Sequence, residues 1–166
     1  MKCACMQDME KIAEYMKTNE LVLVTAESCT AGLIASRLAE IPGAGQLLEC
    51  AYVVYSPAAK QRCLDVSPQT IAQHNLTSEA VAREMALGAL GRSDANVAVS
   101  NTGVADSTDP EVAAGTQCFA WVFRRHNGGH DIHSETRRFD GSRNEIREAA
   151  ADYALGRIPE LHGAAG

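Results

Sequence analysis

The stretch TAESCTAG, Thr25–Gly32, sets an acid, two hydroxyls and a thiol side by side as Glu27, Ser28, Cys29 and Thr30. It follows the apolar run LVLV. Where a strand hands over to a helix, the amides of the first turn lack intrahelical partners and can hold a phosphate or an oxyanion. A serine at that point either caps the helix or acts as a nucleophile. A free hydroxyl is a weak nucleophile, so the second role requires a base. YSPAAK, Tyr55–Lys60, offers one. Its lysine follows the tyrosine by about one helical turn, and burial would ease the loss of its proton. A Ser–Lys pair assisted by a tyrosine is a recognised variant of the hydrolytic triad. A solvated surface lysine is the alternative.

Cys29 is a rival nucleophile, because a helix N-terminus lowers a thiol's pKa. It would need a histidine, and His74, His126, His130, His133 and His162 all read as surface residues. Metal chemistry has little support. Cys3-x-Cys5 lacks the spacing of a zinc knuckle, and Asp106, Asp109 and Glu111 read as a solvated loop. Neither a phosphate-binding G-x-x-x-x-G-K nor a dinucleotide-binding G-x-G-x-x-G occurs.

Composition sets the bounds. The 166 residues, 46% of them hydrophobic, suit a single domain spanning 1–166 with its own core. The net charge of −6 argues against a broad nucleic-acid surface. It leaves room for a local basic pocket from Arg137, Arg138 or Arg143. No run is long enough to span a membrane, and the N-terminus has no signal-peptide core. The six cysteines then read as reduced thiols of a cytoplasmic protein.

The elements that must position these groups follow from periodicity. MEKIAEYMKTN has helical spacing. LVLVTA lacks polar alternation and reads as a strand buried on both faces. SCTAGLIASRLAEI reads as a helix ended by PGAG. LLECAYVVYS is a second strand, and Pro57 opens a short helix. SPQTIAQHN forms a further helical turn or two, and TSEAVAREMALGALGRS is a helix capped by Ser78. NVAVSNTG is a third strand, followed by the long loop VADSTDPEVAAG. TQCFAWVFRR and DIHSETRRF flank HNGG as a hairpin, and SRNEIREAAADYALGRI closes the chain as a helix. The sum is an α/β fold, a three-layer α/β/α sandwich. Its mixed sheet should be mostly parallel, with a late antiparallel hairpin. In such sheets sites gather at the C-terminal ends of parallel strands, where ESCT and SNTG both fall.

TAESCTAGLIASRLAEIPGA, YSPAAK, TSEAVAREMALGAL, NVAVSNTGVAD, GTQCFAWVF and FDGSRNEIREAAADYAL together resemble, in order, the motifs of the CinA C-terminal domain family. The resemblance covers about residues 8–158. The second domain that full-length CinA proteins carry in front is not expected, because only about 20 residues precede the first strand. Stand-alone members are similar to nicotinamide-nucleotide amidohydrolases. The resemblance therefore implies hydrolysis of nicotinamide mononucleotide to nicotinate mononucleotide and ammonia, with no cofactor and no metal. It implies Ser28 as nucleophile, with Lys60 and Tyr55 assisting proton transfer. It further implies Glu27, Cys29, Thr30, Gly32, Thr102, Gly103 and Arg143 as substrate-binding residues, Arg143 on the phosphate. The expected partner is a small-molecule nucleotide, with no nucleic acid and no membrane, and assembly into a homo-oligomer stays open. Ala31 stands where the family has a second glycine, a mild change if residue 31 starts a helix. Asp106 and Ser107 stand where it has Gly and Pro, which puts a negative charge near a pocket meant for a phosphate. A diverged member that binds a nucleotide or a protein partner without turnover is the alternative.

Overall fold

The computed structural model describes residues 4–164, with side chains from residue 8 onward. The Cys3-x-Cys5 pair lies outside the described side chains. Seven α-helices and five strands follow one another along the described chain. They are α1 (Ala4–Thr18), β1 (Leu23–Glu27), α2 (Leu33–Ala39), β2 (Leu48–Val53), α3 (Pro57–Leu64), α4 (Pro68–His74), α5 (Glu79–Gly91), β3 (Val97–Gly103), β4 (Thr116–Arg124), β5 (His130–Arg138), α6 (Arg143–Gly156) and α7 (Ile158–Ala164). The strands form one sheet in the order β2-β1-β3-β4-β5. β1 is an inner strand, buried at all five residues and parallel to both neighbours. β4 is antiparallel to β3 and to β5, so four strands share one direction and β4 alone opposes them.

Helices cover both faces. α1, α2, α6 and α7 pack on Leu23, Val97, Val99, Phe119, Trp121 and Phe123. α3 and α5 pack on Val24, Ala26, Ala98, Ala120 and Val122. The two lists alternate along β1, β3 and β4, as the pleat of a doubly covered sheet requires. Local signals fix several helix starts. Ser56 accepts from the Ala59 amide with Pro57 at the first helical position, and Ser78 accepts from the Val81 amide. Ser142 and Glu145 form a reciprocal capping box on α6.

β2 is an edge strand whose residues alternate between half-buried and exposed. Two elements differ from expectation. α7 continues the chain beyond α6, with Pro159 in its first turn. Most consequentially, α2 begins at Leu33 rather than at Ser28, and its N-cap, Gly32, makes no side-chain cap. Ala31 (φ 48°) and Gly32 (φ 98°) both occupy the left-handed region, so residues 28–32 form a turn ahead of the helix. Neither Ser28 nor Thr30 is therefore a cap.

Ala31 is accordingly not a benign helix-start residue. Left-handed backbone costs an alanine about 1–2 kcal/mol, of which glycine's extra unfolded-state freedom offsets part. Ala31→Gly should raise stability by about 0.5–1 kcal/mol, read as a higher denaturation midpoint at unchanged m-value. A lowered midpoint would contradict this backbone.

Candidate active site

Ser28 is the first residue past β1, and its amide donates to the Asn101 carbonyl of β3 at 3.0 Å. β1 leads across to β2 on one side, while β3 returns on the other. Their C-terminal ends therefore flank a crevice, the usual place for a site in an open parallel sheet. A pocket of about 380 Å³ opens there, lined among others by Ser28, Cys29, Tyr55, Lys60, Thr102, Gly103 and Arg143.

Lys60, on α3, is only 1% exposed. Its Nζ lies 2.9 Å from Ser28 Oγ, 3.0 Å from the Val54 carbonyl and 3.1 Å from the Tyr55 carbonyl. No carboxylate pairs with it among the described residues. Burial without a counter-ion disfavours the ammonium form and lowers its pKa from 10.5 to about 8. A neutral amine has two N–H donors and one lone pair. The two carbonyls take the donors, which leaves the lone pair to accept the Ser28 hydroxyl proton. That is the geometry of a general base on a nucleophile.

The turn after Ser28 is held from below. Glu27 is fully buried on the α2 side of β1, and its carboxylate accepts five hydrogen bonds. The donors are the hydroxyls of Thr25 (2.9 Å) and Thr30 (2.8 Å) and the amides of Gly32 (3.2 Å), Ile34 (2.9 Å) and Ala35 (3.2 Å). From the side, Asn101 accepts from the Thr30 amide and donates to Gln117, whose own amide reaches Cys29 Sγ and the Val104 carbonyl. From α6, Arg147 donates to the carbonyls of Cys29 (2.9 Å) and Thr30 (3.4 Å).

Of the expected substrate contacts, Glu27, Thr30 and Gly32 are not among the residues that line the pocket, and the Thr30 hydroxyl and Gly32 amide donate to the Glu27 carboxylate. The network also narrows the expected cradle of amides. Among the described residues, the amides of 28 and of 30–35 all have acceptors, and only the Cys29 N–H has none. An unpaired amide directly after a nucleophile is suited to stabilising an oxyanion. The Cys29 side chain, by contrast, is no thiolate. Burial raises its pKa, and no histidine lines the pocket among the described residues.

The rim holds the other expected residues. Thr102 Oγ1 donates to the Leu76 carbonyl (2.9 Å) and so anchors the Asn75–Thr77 wall. A Cβ at Gly103 would sit 2.3 Å from Gln117 Oε1, so glycine there permits the Asn101–Gln117 bridge. Tyr55 is exposed, and its hydroxyl pairs with Arg143 (3.2 Å) rather than with Lys60. Its contribution to the Ser–Lys pair is a backbone carbonyl. Arg143 also forms an ion pair with Asp106. Arg137 lies over the Tyr153 ring and Arg138 donates to the Ala114 carbonyl, so of these three arginines only Arg143 lines the pocket.

Asn101, Gln117 and Arg147 were not singled out from sequence. A signal existed for the first two. An amide side chain inside an otherwise apolar strand must find a buried partner, and each found the other.

The family model for the CinA C-terminal domain matches residues 6–161. "Nicotinamide-nucleotide amidohydrolase PncC" of Escherichia coli K12 is 38% identical over 154 residues, 90% of each chain. A "CinA-like protein" of Chlorobaculum tepidum is 39% identical over 160 residues, but this chain spans only 37% of its length. The crystal structure of competence damage-inducible protein A from Klebsiella pneumoniae superposes with a TM-score of 0.88 at 29% identity, over 96% of this chain and 97% of that one. A competence/damage inducible protein from Agrobacterium tumefaciens gives 0.85 at 34% identity, with 98% of each chain covered. The sheet, the Ser28–Lys60 pair and these matches agree: the chain belongs to the CinA C-terminal domain family.

Proposed function

We propose that this protein is a serine amidohydrolase that converts nicotinamide mononucleotide and water to nicotinate mononucleotide and ammonia. The observation that carries the reading is the buried Lys60 amine 2.9 Å from Ser28 Oγ, at the floor of a crevice wide enough for a nucleotide. The 38% identity to a nicotinamide-nucleotide amidohydrolase over 90% of both chains supports the choice of substrate.

Chemistry proceeds in two steps. Ser28 Oγ attacks the carboxamide carbon as its proton passes to Lys60 Nζ. The carbonyl oxygen becomes an oxyanion facing the Cys29 N–H. Collapse of the adduct breaks the C–N bond, and Lys60 returns the proton to the departing nitrogen, which leaves as ammonia. Water then attacks the acyl ester and gives its proton to Lys60, and Ser28 leaves as the free hydroxyl. Arg143 at the mouth would take the substrate phosphate.

Ammonia release from nicotinamide mononucleotide by the purified protein tests this reading. Wild type should turn over, and Ser28→Ala should lose about three or more orders of magnitude in kcat. A folded wild type without turnover would refute the enzyme assignment. Full activity in Ser28→Ala would refute the nucleophile.

A further inference from the structure

We propose that Asp106 is a specificity-determining residue, an internal competitor that occupies Arg143 in place of the substrate's phosphate. The inference rests on the reading of Arg143 as the phosphate ligand.

Arg143 is the first residue of α6, and its guanidinium lies across the pocket mouth. One terminal nitrogen pairs with Asp106, in the loop after β3, and the other with the Tyr55 hydroxyl beyond β2. Both ends of the fork that would grip a phosphate are thus directed at the protein's own groups. Beneath the mouth, the Lys60 amine is turned to the Ser28 hydroxyl and to the Val54 and Tyr55 carbonyls, away from the rim. Asp109, which also lines the pocket, is engaged by the Asn75 side chain and the Glu111 amide and offers no positive charge. Arg143 is therefore the cation at the pocket mouth, and it is already paired with a carboxylate.

A phosphate that enters must displace the Asp106 carboxylate, so affinity is reduced by the fraction of molecules in which Arg143 is paired. Both partners are about half exposed (48% and 44%), which keeps the pair weak enough to exchange. A substrate without a phosphate meets no such competition. The device lowers the preference for a nucleotide over the corresponding nucleoside without touching the Ser28–Lys60 chemistry.

Asp106→Asn keeps the shape and removes the charge. It should tighten ribose 5-phosphate binding about three- to tenfold in a calorimetric titration. It should lower KM for nicotinamide mononucleotide by the same factor and leave kcat, and KM for nicotinamide riboside, unchanged. The tightening should vanish in an Arg143→Ala background. Unchanged ribose 5-phosphate affinity, or tightening that survives Arg143→Ala, overturns the proposal. The titration involves no turnover, so it stands or falls separately from the amidohydrolase assay.

Discussion

Lys60→Met should lower kcat for amide hydrolysis by about 10³- to 10⁴-fold, and it should change the pH dependence of stability in a defined direction. The catalytic loss follows from the 2.9 Å contact with Ser28, because methionine keeps the volume and supplies no lone pair for the hydroxyl proton. In wild type, activity should fall as pH drops through about 8, where Lys60 protonates. The stability effect has its own sign. The folded-state pKa lies below the 10.5 of an ordinary lysine, so between about 8 and 10.5 the unfolded chain binds more protons than the native one. Stability from this group therefore rises with pH across that window. Below about 8 the full cost of the buried charge is present, on the order of 3 kcal/mol. Lys60→Met removes that cost but leaves the Val54 and Tyr55 carbonyls unpaired, a penalty that does not titrate. The melting temperature of Lys60→Met relative to wild type should thus be highest below pH 8 and decline as pH rises toward 10. A difference that stays flat over that range would show that Lys60 is not held near 8.

How far the site could be read in advance depends on whether the signal is local. Ser28 and Lys60 are 32 residues apart. Spacing alone leaves Lys60 either a base or a surface residue, and it is the resemblance that implies their pairing. The layers, the hairpin and the Ser78 cap follow from local patterns. What escaped was backbone handedness. Alanine is the strongest helix former, so ESCTAG reads as the start of α2. The carboxylate of Glu27, buried beneath, instead draws the turn into a left-handed bend. The resemblance implies Glu27 and Thr30 as ligands, whereas the bend turns the Thr30 hydroxyl onto the Glu27 carboxylate. The closing helix reads as one element ending at Ile158, but a further helix follows, with Pro159 in its first turn, where a missing N–H costs nothing. The negative charge of Asp106 near the pocket was apparent from sequence. That it pairs with Arg143 depends on two loops meeting, which no local pattern encodes.

Glu27→Gln should destabilise the protein by about 3–4 kcal/mol and cut kcat with little change in KM. All five groups around this side chain donate to it, three of them amides that can do nothing else, and a carboxylate offers only acceptors. A glutamine must point its NH2 at either the Oε1 or the Oε2 position. At Oε1 it faces the Thr30 hydroxyl and the amides of Gly32 and Ile34, and at Oε2 the Thr25 hydroxyl and the Ala35 amide. A threonine hydroxyl can turn to accept, but a backbone N–H cannot, so the NH2 opposes the Ala35 amide at Oε2 or the Gly32 and Ile34 amides at Oε1. The hydrogen bonds to a charged group lost in either case are worth about 1.5–3 kcal/mol each. The negative charge at the positive end of α2 is lost as well. Glu27, the last residue of β1, ties that strand directly to the first turn of α2 through the amides of Gly32, Ile34 and Ala35. Loosening it should therefore displace Ser28 Oγ from Lys60 and the Cys29 amide from the oxyanion, while the rim at Arg143 stays in place. That separation is the reason kcat, not KM, carries the loss. Thr25→Val removes a single donor and should cost about 1 kcal/mol with most of kcat retained, a graded control if Glu27→Gln folds poorly. A Glu27→Gln variant that melts with wild type, or that loses KM and not kcat, would place this carboxylate in the substrate's path and not beneath the nucleophile.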